Sequence, residues 1–226
     1  MSLVLAIDIL TGRPYGGCAI LWRSDMVANV KILDVCSNRV CAVRVSLDRC
    51  HLLLVCVYMP HEGDDSMTDE FVNQLSVTES IIESNLDCHL IIGGDFNVDL
   101  ARKWCHIELL TSFCVNNGLQ SAVNHASSNV DYTYHFGMCR FSTIDHFLIS
   151  GTLYEKAAKR IGVLHEVDNT PHHDPLVLRL CLQMSFVSCA SKIHTPRATP
   201  RSDFRPEVEF DHSSPDDLLT IRKHYS

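Results

Sequence analysis

No Cys-x-x-Cys pair occurs in this chain although it has 11 cysteines, so zinc ribbons, zinc knuckles and dithiol redox motifs have no framework to build on. The odd count argues the same way. Cys18, Cys56, Cys88, Cys114 and Cys181 sit inside apolar runs, where a thiol behaves as a small hydrophobe, and the expected setting is a reducing, intracellular compartment, nucleus or cytoplasm. No apolar run is long enough to span a bilayer, so no membrane partner is expected. Residues 1–10 are apolar but carry Asp8 and lack both a basic leader and a small-residue cleavage site, a poor signal peptide. Positive charge is scarce. Lys and Arg number 19 against 27 Asp and Glu, a net charge of −8 that excludes a broad basic nucleic-acid footprint. An enzyme that meets phosphates through a metal ion and a few local donors remains open. No small-molecule cofactor motif and no internal repeat are present.

At 226 residues and 46% apolar composition, the chain can bury one sizeable core. Apolar and alternating runs predict strands over 17–22, 27–35, 39–47, 51–58, 132–136, 143–149, 161–167 and 176–182. The run 51–58 is apolar throughout, as suits a strand buried on both faces. A helix is expected from Ser66, with Asp69 three residues on as a near capping box and Phe71, Leu75, Thr78 and Ile82 as its core stripe. A second is expected over 103–117, with Trp104, Ile107, Leu110 and Cys114 on one side and Gly118 to stop it. A short third helix falls over 153–159. Strand meanders interrupted by two long helices imply an α/β (α+β) protein with mixed sheets. The domain is expected to occupy 1–182. Residues 183–213, with Pro196, Pro200 and Pro206 among polar residues, read as a linker, and Ser214-Pro215-Asp216-Asp217 reads as the start of a helix.

The stretch Leu90-Ile91-Ile92-Gly93-Gly94-Asp95-Phe96-Asn97 organises the rest. A buried strand ends in two glycines that leave room for a bulky anion, then offers a carboxylate and a carboxamide two positions apart. If the chain stays extended, Asp95 and Asn97 share one face and Phe96 turns to the core. The acid can hold a metal or take a proton and the amide can donate to a phosphate oxygen, which is chemistry for a phosphoester. Taken alone, the same residues also read as an ordinary turn. Other polar groups at strand or loop ends are Tyr58 before Pro60, Asp145 in an otherwise apolar strand, and His172-His173-Asp174 before the last strand. A buried carboxylate needs a donor or a cation, and His173 is a natural partner for Asp145.

In order, Gly-Gly-x-Ala-Ile-Leu, Val-Tyr-x-Pro, Gly-Gly-Asp-Phe-Asn, Ile-Asp-His-Phe-Leu-Ile-Ser and His-Asp-Pro-Leu resemble the endonuclease/exonuclease/phosphatase superfamily over residues 12–182. Gly12-Arg13-Pro14-Tyr15-Gly16-Gly17 running into Ala19-Ile20-Leu21-Trp22 resembles the endonuclease domain of non-LTR (LINE-type) retrotransposon polyproteins. The resemblance implies a four-layer α/β/β/α sandwich that cleaves DNA phosphodiesters with Mg²⁺. It implies that Asp95 activates or orients the attacking water and that Asn97 and Tyr58 contact the scissile phosphate. His173 would then stabilise or protonate around the transition state, with Asp145 fixing its tautomer and favouring its charged form. Lipid phosphatases and sphingomyelinases share these site motifs.

Two departures bear on activity. The superfamily opens with a strand and a helix that supply an asparagine and a metal-ligating glutamate, and the chain is expected to begin downstream of both; Asp8 fits neither motif. His172 also stands where the superfamily has an aspartate, and imidazole is a poor ligand for Mg²⁺. Asp174, extended before Pro175, would face away from His173. The expectation is therefore an impaired enzyme or a non-catalytic remnant, poorly soluble for want of its opening strand; an interaction module would need a basic face that the charge balance does not supply.

Overall fold

A computed structural model describes residues 2–6, 17–23, 29–48, 50–102, 105–136, 140–165, 172–182, 206–211 and 218–221. The strands are β1 (Ser2–Ala6), β2 (Cys18–Trp22), β3 (Val30–Leu33), β4 (Val40–Ser46), β5 (His51–Tyr58), β6 (Cys88–Asp95), β7 (Leu119–Ser121), β8 (Tyr134–Phe136), β9 (Arg140–Ser142), β10 (Asp145–Ser150), β11 (Ala158–Val163), β12 (Leu176–Cys181), β13 (Pro206–Asp211) and β14 (Leu218–Ile221). The helices are α1 (Asp65–Glu83), α2 (Cys105–Asn116) and α3 (Gly151–Lys156).

Residues 51–58 and 88–95, built on apolar runs, become the two central strands of a six-stranded mixed sheet in the order β3-β4-β5-β6-β10-β7. Strands β5 and β6 are parallel, and the other pairings in this sheet are antiparallel. Parallel neighbours need a crossover, and α1 provides it. Both faces of β5 and β6 are covered, which is why these segments show no polar alternation. Helix α1 buries Phe71 and Leu75, and the Phe71 ring stacks on His106 of α2 with centroids 4.5 Å apart. A second mixed sheet has the order β11-β12-β13-β14, with β14 also pairing β12. Leu176, Leu178 and Leu180 of β12 join the buried cluster of the first sheet, so the two sheets share one core. The fold class is thus the expected α/β sandwich with mixed sheets. No described helix is long and apolar enough to cross a membrane.

Several boundaries differ from expectation. Helix α1 is capped by Asp64 rather than Ser66: the Asp64 carboxylate accepts from the backbone N–H groups of Ser66 and Met67 at 3.1 and 3.2 Å, and it is the better acceptor for orphan amides. Gly118 ends α2 as expected, with a φ of 61° that glycine adopts without cost. Lys103 and Trp104 lie outside the described residues.

The largest difference is at the C-terminal end. Leu218–Ile221 is strand β14, not helix, and Pro206–Asp211, inside the span read as linker, is strand β13. Val208 and Phe210 alternate with acidic residues at the period of a strand, and proline is tolerated at a strand's first position. The free edge of β12 overrides the helix-start signal of Ser214-Pro215 by offering antiparallel partners to 218–221. At the other end, Ser2–Ala6 pairs antiparallel with β2, a strand the sequence pattern had not assigned. Asp8 and residues 12–16 of the retrotransposon-like stretch lie outside the described residues.

Candidate active site

Tyr58, Asp95 and Asp145 stand in one row across the sheet. Asp95 is level with Tyr58 on the parallel strand β5 and directly opposite Asp145 on the antiparallel strand β10. Residues at one level of adjacent strands project to the same face, so the register itself delivers three polar side chains to one rim. Gly94, immediately before Asp95, has a φ of 152° that β-carbon sterics deny other residues.

His173 reaches this row from the segment before β12. Its Nδ1–H donates to Asp145 Oδ2 at 3.0 Å, because an ionised carboxylate only accepts. Asp145 is fully buried and the His173 side chain is 15% exposed. The Tyr134 ring meets the His173 imidazole edge-on, centroids 4.8 Å apart, and the two residues form a β-bridge. Asp95, Asp145 and His173 each place one donor atom within 4.8 Å of the other two.

Asn97 arrives differently from expectation. The chain does not remain extended past Gly94: strand β6 stops at Asp95, and Asn97 adopts a left-handed φ of 57°. Asparagine tolerates that region better than most residues. Its Nδ2 donates to the Met59 carbonyl at 3.2 Å, pinning the β6 exit to the β5 exit, and the second amide hydrogen stays available to a ligand. Phe96 is buried, as expected.

His172 does not join the group. Its ring donates from Nδ1 to the His135 carbonyl at 3.2 Å and lies 5.3 Å from the Phe136 ring, on the side of the β8–β9 hairpin. Asp174 turns the other way, to His165. His165 Nδ1 donates to Asp174 Oδ2 at 2.7 Å and its Nε2 donates to Asp131 Oδ1 at 2.9 Å. Burial opposes charge on His165, but the two carboxylates outweigh it and raise its pKa.

Two supporting residues were not singled out from sequence. Thr133 is buried, and its Oγ1 accepts from the backbone N–H groups of Ile144 and Asp145 while its carbonyl accepts from Asp174 N, so one residue aligns both halves of the His–Asp pair. Nothing marks it among alternating residues of a strand. Arg39 places its guanidinium 5.2 Å from the Tyr58 ring centroid and donates to the Tyr58 carbonyl. A cation at the mouth of a buried strand was its only signal.

The donor set bears on any metal. Asp145 and His173 are bonded to each other, and the hard-oxygen donors of the cluster are the carboxylates of Asp95 and Asp145. Mg²⁺ is commonly held by one or two carboxylates with substrate phosphates and water. The set therefore fits a weakly held divalent ion rather than a closed cage.

No family model and no curated protein matches the sequence. Solved structures do. The 3′ phosphatase NExo from Neisseria, bound to a product DNA hairpin, superposes with a TM-score of 0.56 at 18% identity over 77% of each chain. The endonuclease domain of TRAS1, a telomere-specific non-LTR retrotransposon, gives 0.54 at 12% identity over 77% of this chain and 76% of its own. An endonuclease/exonuclease/phosphatase family protein from Bacteroides thetaiotaomicron gives 0.50 at 16% identity, over 98% of this chain and 74% of its own. The chain has the fold that these nucleases and phosphatases share.

Proposed function

We propose that this chain, with the endonuclease/exonuclease/phosphatase fold as premise, is a retrotransposon-derived endonuclease-like domain. Its ancestral chemistry is Mg²⁺-assisted hydrolysis of DNA phosphodiesters, and its hold on the metal is impaired. The observation that carries the reading is the row Tyr58, Asp95 and Asp145 with His173 fastened to Asp145. Support for the retrotransposon branch comes from residues 12–22 and from the likeness to the TRAS1 domain.

Asp95, with Asp145 beside it, is where Mg²⁺ would be held, and when bound the ion neutralises phosphate charge. Asp95 also faces the attacking water and orients it. Asn97 and the Tyr58 hydroxyl donate to phosphate oxygens. His173 presents Nε2 to the oxygen that gains charge, its ring held in one tautomer by Asp145. Support for impairment is His172, which stands where the resemblance implies an aspartate on the metal side, and whose ring turns to the His135 carbonyl and supplies no carboxylate.

DNA is favoured over small phosphoesters by the hairpin itself. Phe136 is 56% exposed on β8, on the same face as Tyr134, whose ring meets His173, and an exposed ring is a platform for bases. A phosphatase acting on DNA ends is the second reading, favoured by the likeness to NExo, whose structure holds a DNA hairpin.

Nicking of supercoiled plasmid decides among these. The expected result is slow nicking, faster with Mn²⁺ than Mg²⁺, abolished in Asp95→Ala and raised about 10-fold in His172→Asp through tighter metal binding. Release of phosphate from a 3′-phosphorylated oligonucleotide faster than nicking supports the phosphatase. Absence of both activities, with His172→Asp also inert, identifies a non-catalytic remnant. Nicking that survives Asp95→Ala overturns the site.

A further inference from the structure

Three thiols from three strands converge away from the rim. Cys41 of β4 and Cys56 of β5 are direct cross-strand partners, and Cys18 reaches them from β2, which lies against both strands. Their sulfur atoms all fall within 4.8 Å of one another, and the residues are 3%, 5% and 8% exposed respectively. We infer that Cys18, Cys41 and Cys56 form a binding site for one soft, three-coordinate cation of the cuprous class, which fastens the β1–β2 ribbon to the main sheet.

The ligand set selects the ion. Thiolate sulfur is a soft donor that disfavours Mg²⁺ and Ca²⁺ and suits Cu⁺ or Zn²⁺. Structural zinc takes four ligands. Among the described residues the cluster contains three cysteines and no histidine or carboxylate, so the arrangement suits an ion content with three. Metal–sulfur bonds of roughly 2.3 Å in a trigonal plane place the sulfurs about 4 Å apart, which the cluster reaches by closing less than about 1 Å.

Each copper–sulfur bond that forms replaces an S–H, and its proton leaves to solvent. The consequence is structural. Cys18 sits at the first position of β2, whose sheet partner is the short strand β1, so a bond from its sulfur to the β4–β5 pair holds the ribbon in place.

The test is anaerobic titration of the reduced full chain with Cu⁺ against a chromophoric competing chelator, with X-ray absorption to count ligands. One tightly bound ion with three sulfur neighbours is expected. Cys18→Val and Cys56→Val, which keep an apolar side chain of similar size, are expected to weaken binding by about 100-fold or more, while Cys36→Ser, at an exposed position, leaves it unchanged. In the unaltered chain, hydrogen exchange should slow across 18–22, 40–46 and 51–58 when copper is added, and this measurement decides if the variants fail to fold. Two sulfur neighbours, protection confined to other strands, or full affinity in folded Cys18→Val overturns the site.

Discussion

Asp95 on β6 and Asp145 on β10 are directly opposed across an antiparallel pair, both buried and both on the face that carries His173. Like charges opposed on a sheet are destabilising, so this placement needs compensation, part of which the His173 imidazole supplies to Asp145. The arrangement suits binding better than it suits stability. Thr133 is the residue that keeps it aligned, through its hydroxyl to Asp145 and its carbonyl to Asp174.

Asp145→Asn tests the orientation of His173 without depending on turnover. The wild-type ring is expected to carry its proton on Nδ1, because Asp145 Oδ2 can only accept it. Asparagine keeps the size but can present either an oxygen or an amino group, so the ring should shift toward the Nε2–H tautomer. Long-range ¹H–¹⁵N NMR of His173 reads this directly. Where nicking is measurable, it should fall by about 100-fold, the scale of one mispositioned acid–base group. An unchanged tautomer would show that Asp145 does not orient His173.

Asn97 is expected to rank its variants by backbone conformation. At a φ of 57°, alanine is strained and also loses the bond to the Met59 carbonyl, so Asn97→Ala should cost about 2 kcal/mol. Asn97→Gly loses the bond but not the conformation, and should cost about 1 kcal/mol. Urea unfolding that places Asn97→Ala at or above Asn97→Gly in stability contradicts the left-handed assignment.

These two sites mark what was legible in the sequence. The central strands were readable because residues 52–57 and 90–92 are apolar at every position, and the rim because polar residues follow soon after each run. The geometry of Asn97 was not, since an extended continuation and a left-handed turn fit the same residues, and tertiary contact to Met59 decides between them. Strand β14 was misread because Ser214-Pro215-Asp216 carries local helix-start signals, while the edge of β12 that captures Leu218–Ile221 is distant in sequence. The cysteine trio was invisible for the same reason. Cys18, Cys41 and Cys56 have no common spacing and meet only when three strands assemble. Position 172 was identified as a departure, but that its ring turns to the His135 carbonyl required the β8–β9 hairpin to be in place.

His146 should govern the acid limb of stability. It follows Asp145 on β10, so its side chain enters the opposite, fully buried face, where burial holds its pKa down at about 4 despite an Nε2–H bond to the Val98 carbonyl. The folded chain thus keeps this ring neutral while the unfolded chain protonates it near pH 6.5. Stability is then lost as pH falls through the unfolded value and levels off below about pH 4, a loss of about 2 kcal/mol between pH 7 and pH 5. His165 has the opposite sign. Its raised folded pKa means its contribution grows as pH falls from the folded to the unfolded value and is constant below that, so it offsets His146 only in the upper part of the interval. His89, also lowered by burial, adds slope of the same sign as His146. Comparing urea midpoints at pH 7 and pH 5 for the wild type and His146→Gln isolates the term, since glutamine can still donate to Val98 but does not titrate. The variant should lose markedly less stability over that interval, and an equal loss in both proteins would mean that His146 is not the group being protonated.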